Sequence, residues 1–110
     1  MVNYQPGPLD TVFAALSDPT RRALLERLTE QDELSVSALA SPLPMSLPAV
    51  MKHLDVLEHA GLIARRKVGR SVQCRIEAAP MESAMQWLSR YERFWSESLD
   101  RLAAMLERDK

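Results

Sequence analysis

Apolar residues recur at helical spacing along most of this chain, and polar or proline-containing interruptions cut the pattern into segments. Leu9, Val12, Phe13 and Leu16 share one helical face, and Ser17-Asp18-Pro19 ends that helix, with Asp18 placed to cap the next and Pro19 at its first position. The second helix runs from Pro19 to about Thr29, with Ala23, Leu24 and Leu28 inward and Arg21, Arg22 and Arg27 mostly outward. Ser35 caps a short third helix over Val36 to Ala40, which Ser41-Pro42-Leu43-Pro44 ends because proline cannot donate to the helix ladder. Ser46 caps a fourth, with Pro48 in its first turn and Val50, Leu54 and Leu57 at i, i+4 and i+7, until Gly61 supplies a left-handed stop. At about 15 residues that helix is roughly 22 Å long.

The period then changes. Leu62 to Val68 and Ser71 to Glu77 are two short β-prone runs around Gly69-Arg70, the spacing of a two-residue hairpin with glycine first. From Pro80 onward there is no glycine or further proline. Met81, Ala84, Leu88, Tyr91, Trp95, Leu99, Leu102 and Leu106 trace one stripe spaced by three or four, which predicts a single long amphipathic helix. Unbroken from Met81 to about Arg108, it is roughly 42 Å long, against a radius of gyration of about 13 Å for a domain of this size. It overhangs its own core, and Met85, Trp87, Phe94 and Met105 broaden its apolar surface.

The 110 residues, 46% hydrophobic and 26% charged, make one ordinary domain over 9–110 behind a short extended lead-in over 1–8. A lone Cys74 excludes an intrachain disulfide and an all-cysteine metal cage, and points to a reducing, cytoplasmic setting. Met1 to Pro8 lack the basic and apolar regions of a signal peptide, and no window approaches the ~18 apolar residues of a membrane span. The expectation is a protein neither secreted nor embedded in a membrane.

The net charge of −1 conceals an asymmetry: residues 46–76 hold six basic and two acidic residues. Arg65, Arg66, Lys67, Arg70 and Arg75 fall within residues 61–76 without one acid. Such a stripe suits an acidic polymer. Together the elements predict a mainly α fold with a small β-hairpin: a winged helix-turn-helix with a long C-terminal dimerisation helix.

The fourth helix buries only its Val50/Leu54/Leu57 stripe, leaving Pro48, Ala49, Met51, Lys52, Asp55 and His53 for the free face. A major groove about 12 Å wide accepts one helix of this size. Ser46 and Lys52 are expected to position the helix, and Ala49, Met51 and His53 to face bases. Arg65, Arg66, Lys67 and Arg70 are expected to grip phosphate or enter the minor groove, with Arg22 a further backbone candidate. The plainer reading is solvated surface, but the basic hairpin following a capped exposed helix favours double-stranded DNA as the partner.

Phe13-Ala14-Ala15-Leu16-Ser17-Asp18-Pro19-Thr20-Arg21-Arg22, then the run from Leu47-Pro48-Ala49-Val50-Met51-Lys52-His53-Leu54 to His59-Ala60-Gly61-Leu62, then Gly69-Arg70, resemble the ArsR family of bacterial winged-helix repressors. The resemblance covers about residues 9–106. It implies a homodimer that binds an inverted-repeat operator and commonly leaves it when an inducer binds. The terminal pattern Trp87-Leu88, Tyr91, Phe94-Trp95, Leu99, Leu102 is similar to a subgroup without metal-sensing ligands. Metal-sensing members carry two cysteines in the third helix, where this chain reads Glu33-Leu34-Ser35-Val36-Ser37. Other members bind zinc through Asp, His and Glu of paired C-terminal helices, and residues 77–110 contain no histidine. Carboxylates alone make a poor site for such metals, so neither metal nor cofactor is expected.

His53 and His59 point about 240° apart on their helix and cannot share one ion. His53 is assigned either a phosphate or backbone contact or a structural role, His59 the surface, and Cys74 a half-buried strand position without a redox partner. No histidine has a nucleophile and orienter, and three glycines form no phosphate loop, so catalysis is not expected.

A two-fold dimer through the first helix (Leu9, Val12, Phe13) and the last (Leu88, Tyr91, Trp95, Leu99, Leu102) would bury both and set two recognition helices about 34 Å apart. Trp87, Phe94 and Trp95 are expected to divide between protomer core and interface. Aromatic and methionine residues there offer room for a small apolar effector, with plain packing preferred. The rival reading is a protein-interaction module docking through the aromatic last helix. Salt separates the two, since phosphate contacts weaken steeply with salt and an aromatic interface hardly responds.

Overall fold

Local capping chemistry divides the chain much as its polar interruptions suggest. The computed structural model describes residues 7–108; residues 1–6, most of the expected lead-in, and 109–110 lie outside the described residues. Helix α1 (Pro8–Leu16) opens where the Gly7 N–H donates to the Asp10 carboxylate at 2.7 Å. Asp18 caps α2 (Pro19–Glu30) by accepting the Arg21 N–H at 3.0 Å, with Pro19 at the first helical position. Ser35 caps α3 (Val36–Ala40) through the Ala38 N–H at 3.0 Å, and Ser46 caps α4 (Leu47–His59) through the Ala49 N–H at 3.3 Å. Gly61, at φ +76°, ends the last of these: its N–H donates to Glu58 and the Leu62 N–H to Leu57, the paired bonds of a left-handed cap.

Strands β2 (Ile63–Val68) and β3 (Ser71–Ile76) pair antiparallel from Ile63 opposite Ile76 to Val68 opposite Ser71. Gly69 turns the hairpin at φ +63°, and no other residue type takes a positive φ among the described residues, so glycine holds the first turn position as expected. A two-residue strand β1 (Leu34–Ser35) adds to the far side of β3 and makes a three-stranded sheet of order β1-β3-β2. Two residues are too few to show a period, and this strand carries no signal in the sequence.

The core gathers Leu24, Leu25 and Leu28 of α2, Val50, Leu54 and Leu57 of α4, and Leu62, Ile63 and Cys74 of the hairpin, closed by Val12, Ala15, Leu39 and Ala84. Leu25, not Ala23, joins Leu24 and Leu28 in the interior. Val12, expected at an intermolecular surface, is 2% exposed and belongs to the core of its own protomer. Cys74, expected half-buried, is wholly enclosed, and burial pushes its thiol above the ordinary range.

The C-terminal helical arm is present, but as α5 (Ala78–Ser89) and α6 (Glu92–Arg108) rather than one unbroken helix. It begins before Met81, with Pro80 in a first turn whose N–H groups need no helical partner. At the joint the Arg90 and Tyr91 N–H groups donate three residues back, to Trp87 and Leu88, a tightening that ends one helix and redirects the next. Arg90 keeps right-handed dihedrals, so neither glycine nor proline is needed and the sequence shows no break. Trp87 packs edge-on against Phe13 of α1 at 5.6 Å and beside Tyr91 at 5.2 Å. Beyond the joint no residue of α6 is buried. The radius of gyration of 18.7 Å exceeds the ~13 Å of a compact domain of this length because the arm stands away from the core.

Candidate nucleic-acid interface

The start of α4 presents Ser46, Pro48, Lys52 and Asp55 to solvent, while Val50, Leu54 and Leu57 are fully buried beneath them. Leu47, at the first helical position, is 51% exposed beside them. Ala49 and Met51 are half-buried, and Met51 packs on the core, so neither stands as free as its place off the stripe suggested. His53 turns away from that face altogether. Its Nδ1 lies 3.3 Å from Nη1 of Arg21 and 3.8 Å from the Asp18 carboxylate, tying α4 to the start of α2.

The arginines of α2, expected outward, fold back on helix ends. Arg21 donates to the Ala15 and Ala14 carbonyls at 2.6 and 3.2 Å, and Arg22 to Leu16 at 2.7 Å, so both satisfy the C-terminus of α1. Arg27 does the same for α3, donating to Ala38 and Leu39 at 2.7 and 3.1 Å. Arg22 remains exposed while doing so.

The wing separates its cations into two kinds. Arg65 and Lys67 lie on the sheet face that carries Cys74 and Val72, Arg66 and Arg75 on the opposite face. Arg65 is 15% exposed at its side chain and donates to Asp55 at 2.6 Å and to both Glu58 oxygens at 3.1 Å. That hydrogen-bonded fork holds the Glu58 carboxyl below its ordinary range and raises the Arg65 guanidinium further. Arg66 reaches across β3 to form a two-pronged pair with Glu33 at 2.9 and 3.1 Å, which lowers the Glu33 carboxyl. Arg75 pairs with Glu77 at 3.3 Å. Lys67 and Arg70, exposed at the tip, have no carboxylate within ion-pair distance among the described residues, and neither has Lys52.

The acid-free stripe of the sequence is therefore acid-free only along the chain: Glu33, Asp55 and Glu58 come to it in space, and Glu77 adjoins its end. Arg65, expected to grip phosphate, is committed within the protomer and locks the root of the wing onto α4. Between the tip and the starts of α3 and α4 lies a cleft of about 230 Å³ lined by Ser37, Leu47, Met51, Arg70 and Val72. Sequence reasoning passed over Ser37 and Leu47. For Leu47 a signal existed, an apolar residue beside a helix cap with too little helix around it to be covered.

A helix-turn-helix domain model matches residues 16–66, the span from the end of α1 through most of β2. The HTH-type transcriptional regulator Rv2034 of Mycobacterium tuberculosis is 36% identical over 98 residues, 89% of this chain and 88% of that one. The solved ArsR family transcriptional regulator RHA00566 is 43% identical and superposes with a TM-score of 0.75 over 87% of this chain and 97% of that chain. The chain belongs to the ArsR family of transcriptional regulators. An ArsR-like regulator from Rhodococcus sp. RHA1, 37% identical with a TM-score of 0.67, covers 89% of this chain and 92% of its own. Ser35 holds a structural duty: its hydroxyl caps α3 by accepting the Ala38 N–H. Of the residues assigned to a dimer contact, Leu9 and Phe13 are half-buried on α1, and Leu88, Tyr91, Trp95, Leu99 and Leu102 are between 45% and 63% exposed. The aromatic side chains divide: Trp87 leans on Phe13 of its own protomer, and Phe94 and Trp95 pair with each other on the open surface of the arm.

Proposed function

We propose that this chain is a DNA-binding transcriptional repressor acting as a homodimer, with the start of α4 in the major groove and the wing tip on the flanking backbone. One observation carries the reading: Lys52 on the exposed line of α4 and Lys67 and Arg70 on the adjoining wing are cations with no carboxylate partner among the described residues. Cations left unpaired beside a groove-sized helix supply salt-sensitive affinity, while Pro48, Ala49, Leu47 and the exposed edge of Met51 offer apolar contact to thymine methyl groups. Ser46 and the open N-terminal turn suit a phosphate. Arg66 joins these contacts by exchanging Glu33 for a phosphate, and Arg22 flanks them.

The dimer is supported by the arm. Leu88, Trp95, Leu99, Leu102 and Leu106 leave 50–63% of their surface open, an apolar face too long to stand in water without a partner. A second copy related by a two-fold axis covers it and presents two α4 helices to successive turns of DNA, about 34 Å apart. The test is selection of bound duplexes from a random pool by the purified chain. Recovered sites with two-fold symmetry and a half-site spacing of one helical turn support the reading. Sites without symmetry, or no enrichment in dilute buffer, overturn it.

A further inference from the structure

Asp55 is an acid on the surface assigned to DNA, where it repels every phosphate that approaches. A free carboxylate there lowers affinity for all sequences alike, so its presence calls for a compensating contact. The structure supplies half of one: Oδ1 of Asp55 receives Nη2 of Arg65 at 2.6 Å, while its side chain stays 62% exposed. Arg65 is itself pinned by both oxygens of Glu58 and is largely covered, so it presents a rigid donor and fixes the Asp55 rotamer. Asp55 Oδ2 has no hydrogen-bond partner among the described residues and lies on the same exposed line of α4 as Pro48 and Lys52. A half-neutralised carboxylate held in one orientation, with one acceptor left open, is the arrangement that accepts a hydrogen bond from a base edge.

We propose that Asp55 is a specificity-determining residue that reads the exocyclic amino group of a cytosine in the major groove, with Arg65 as its positioning residue. The inference rests on the DNA-binding reading of α4. Among major-groove donors, the cytosine amino group is the natural partner of an aspartate, whereas guanine and thymine present acceptors that it repels. Arg65 thus serves DNA recognition from inside the protein: it contacts no phosphate but determines which base Asp55 accepts.

The test repeats the random-pool selection with the wild-type chain, Asp55→Ala, Asp55→Asn, Arg65→Met and Arg65→Lys, each first checked to unfold in one cooperative thermal transition above the temperature of the selection. The wild type is expected to prefer cytosine about tenfold at one position of each half-site. Asp55→Ala flattens that position alone, and Asp55→Asn moves it toward adenine, whose N6 and N7 match a carboxamide. Arg65→Met blurs the same position, Arg65→Lys restores part of it, and neither changes the number of counterions released in a salt titration, which replacing a phosphate-contacting arginine would change. Identical base preferences in wild type and Asp55→Ala overturn the inference while leaving the regulator reading intact. A wild-type preference for adenine at that position overturns the cytosine assignment. Failure of the wild type to enrich any duplex overturns the regulator reading and this inference with it.

Discussion

Helices α4 and α6 carry the same kind of apolar stripe and meet opposite fates. In α4, Val50, Leu54 and Leu57 are fully buried; in α6, Trp95, Leu99 and Leu102 are 63%, 63% and 52% exposed. Both obey the same three-and-four spacing. The difference is what surrounds them: α4 is enclosed by α1, α2, α3 and β2, whereas among the described residues α6 packs chiefly on α5 at the joint and buries none of its own residues. Periodicity therefore reports that a helix needs a covered face, and not whether its own chain provides the cover.

The largest effect that sharpens this contrast is a truncation in each stripe. Leu54→Ala should destabilise the fold by about 2–5 kcal/mol at any protein concentration, as a cavity in a closed core does. Leu99→Ala should leave the protomer fold intact and instead shift the monomer–dimer equilibrium toward monomer in analytical ultracentrifugation. Equal losses of unfolding free energy, both independent of concentration, would erase the distinction between the two helices. Next comes Gly61→Ala at the end of α4, where φ is +76° and an added Cβ would meet Cγ of Pro80 at 3.1 Å. It should cost about 1–2 kcal/mol in chemical denaturation, because left-handed backbone and a tight contact with α5 coincide. A neutral outcome would mean that α5 yields there.

The smallest effect concerns pH. The carboxyls of Asp18, Glu33 and Glu58 lie below their ordinary values, Asp18 chiefly through the Arg21 N–H and the two glutamates through Arg66 and Arg65. A group whose folded pKa is depressed contributes stability above its unfolded pKa, and that contribution is lost as pH falls through the folded one. Thermal unfolding should thus be flat near neutrality and decline below the ordinary carboxylate values of 3.8 and 4.5. All three groups are solvent-accessible, so the decline should be shallow and weaken further in salt. Glu58→Gln should flatten it.

Much of the head was legible because its signals are local. Asp18, Ser35 and Ser46 each precede an apolar run and cap it in the structure, and Gly61 and Gly69 sit where positive φ is needed. What was not legible depends on partners distant in sequence. The root of the wing read as free positive charge because Glu33, Asp55 and Glu58 arrive from 7 to 33 residues away. His53 stayed open between a DNA contact and a structural role because nothing in the chain order shows Arg21 beside it, 32 residues earlier. The joint at Arg90 was silent because two tightened hydrogen bonds end α5 without a helix-breaking residue.

The salt dependence of duplex binding tests the central claim most directly, with wild type compared against Lys67→Ala/Arg70→Ala and against Arg65→Ala. If the wing tip touches phosphate and the wing root does not, the tip variant should lower the slope of log affinity against log salt by about 2 and Arg65→Ala should leave it unchanged. Equal slopes for wild type and the tip variant, or a flat wild-type response from dilute to concentrated salt, would contradict the account.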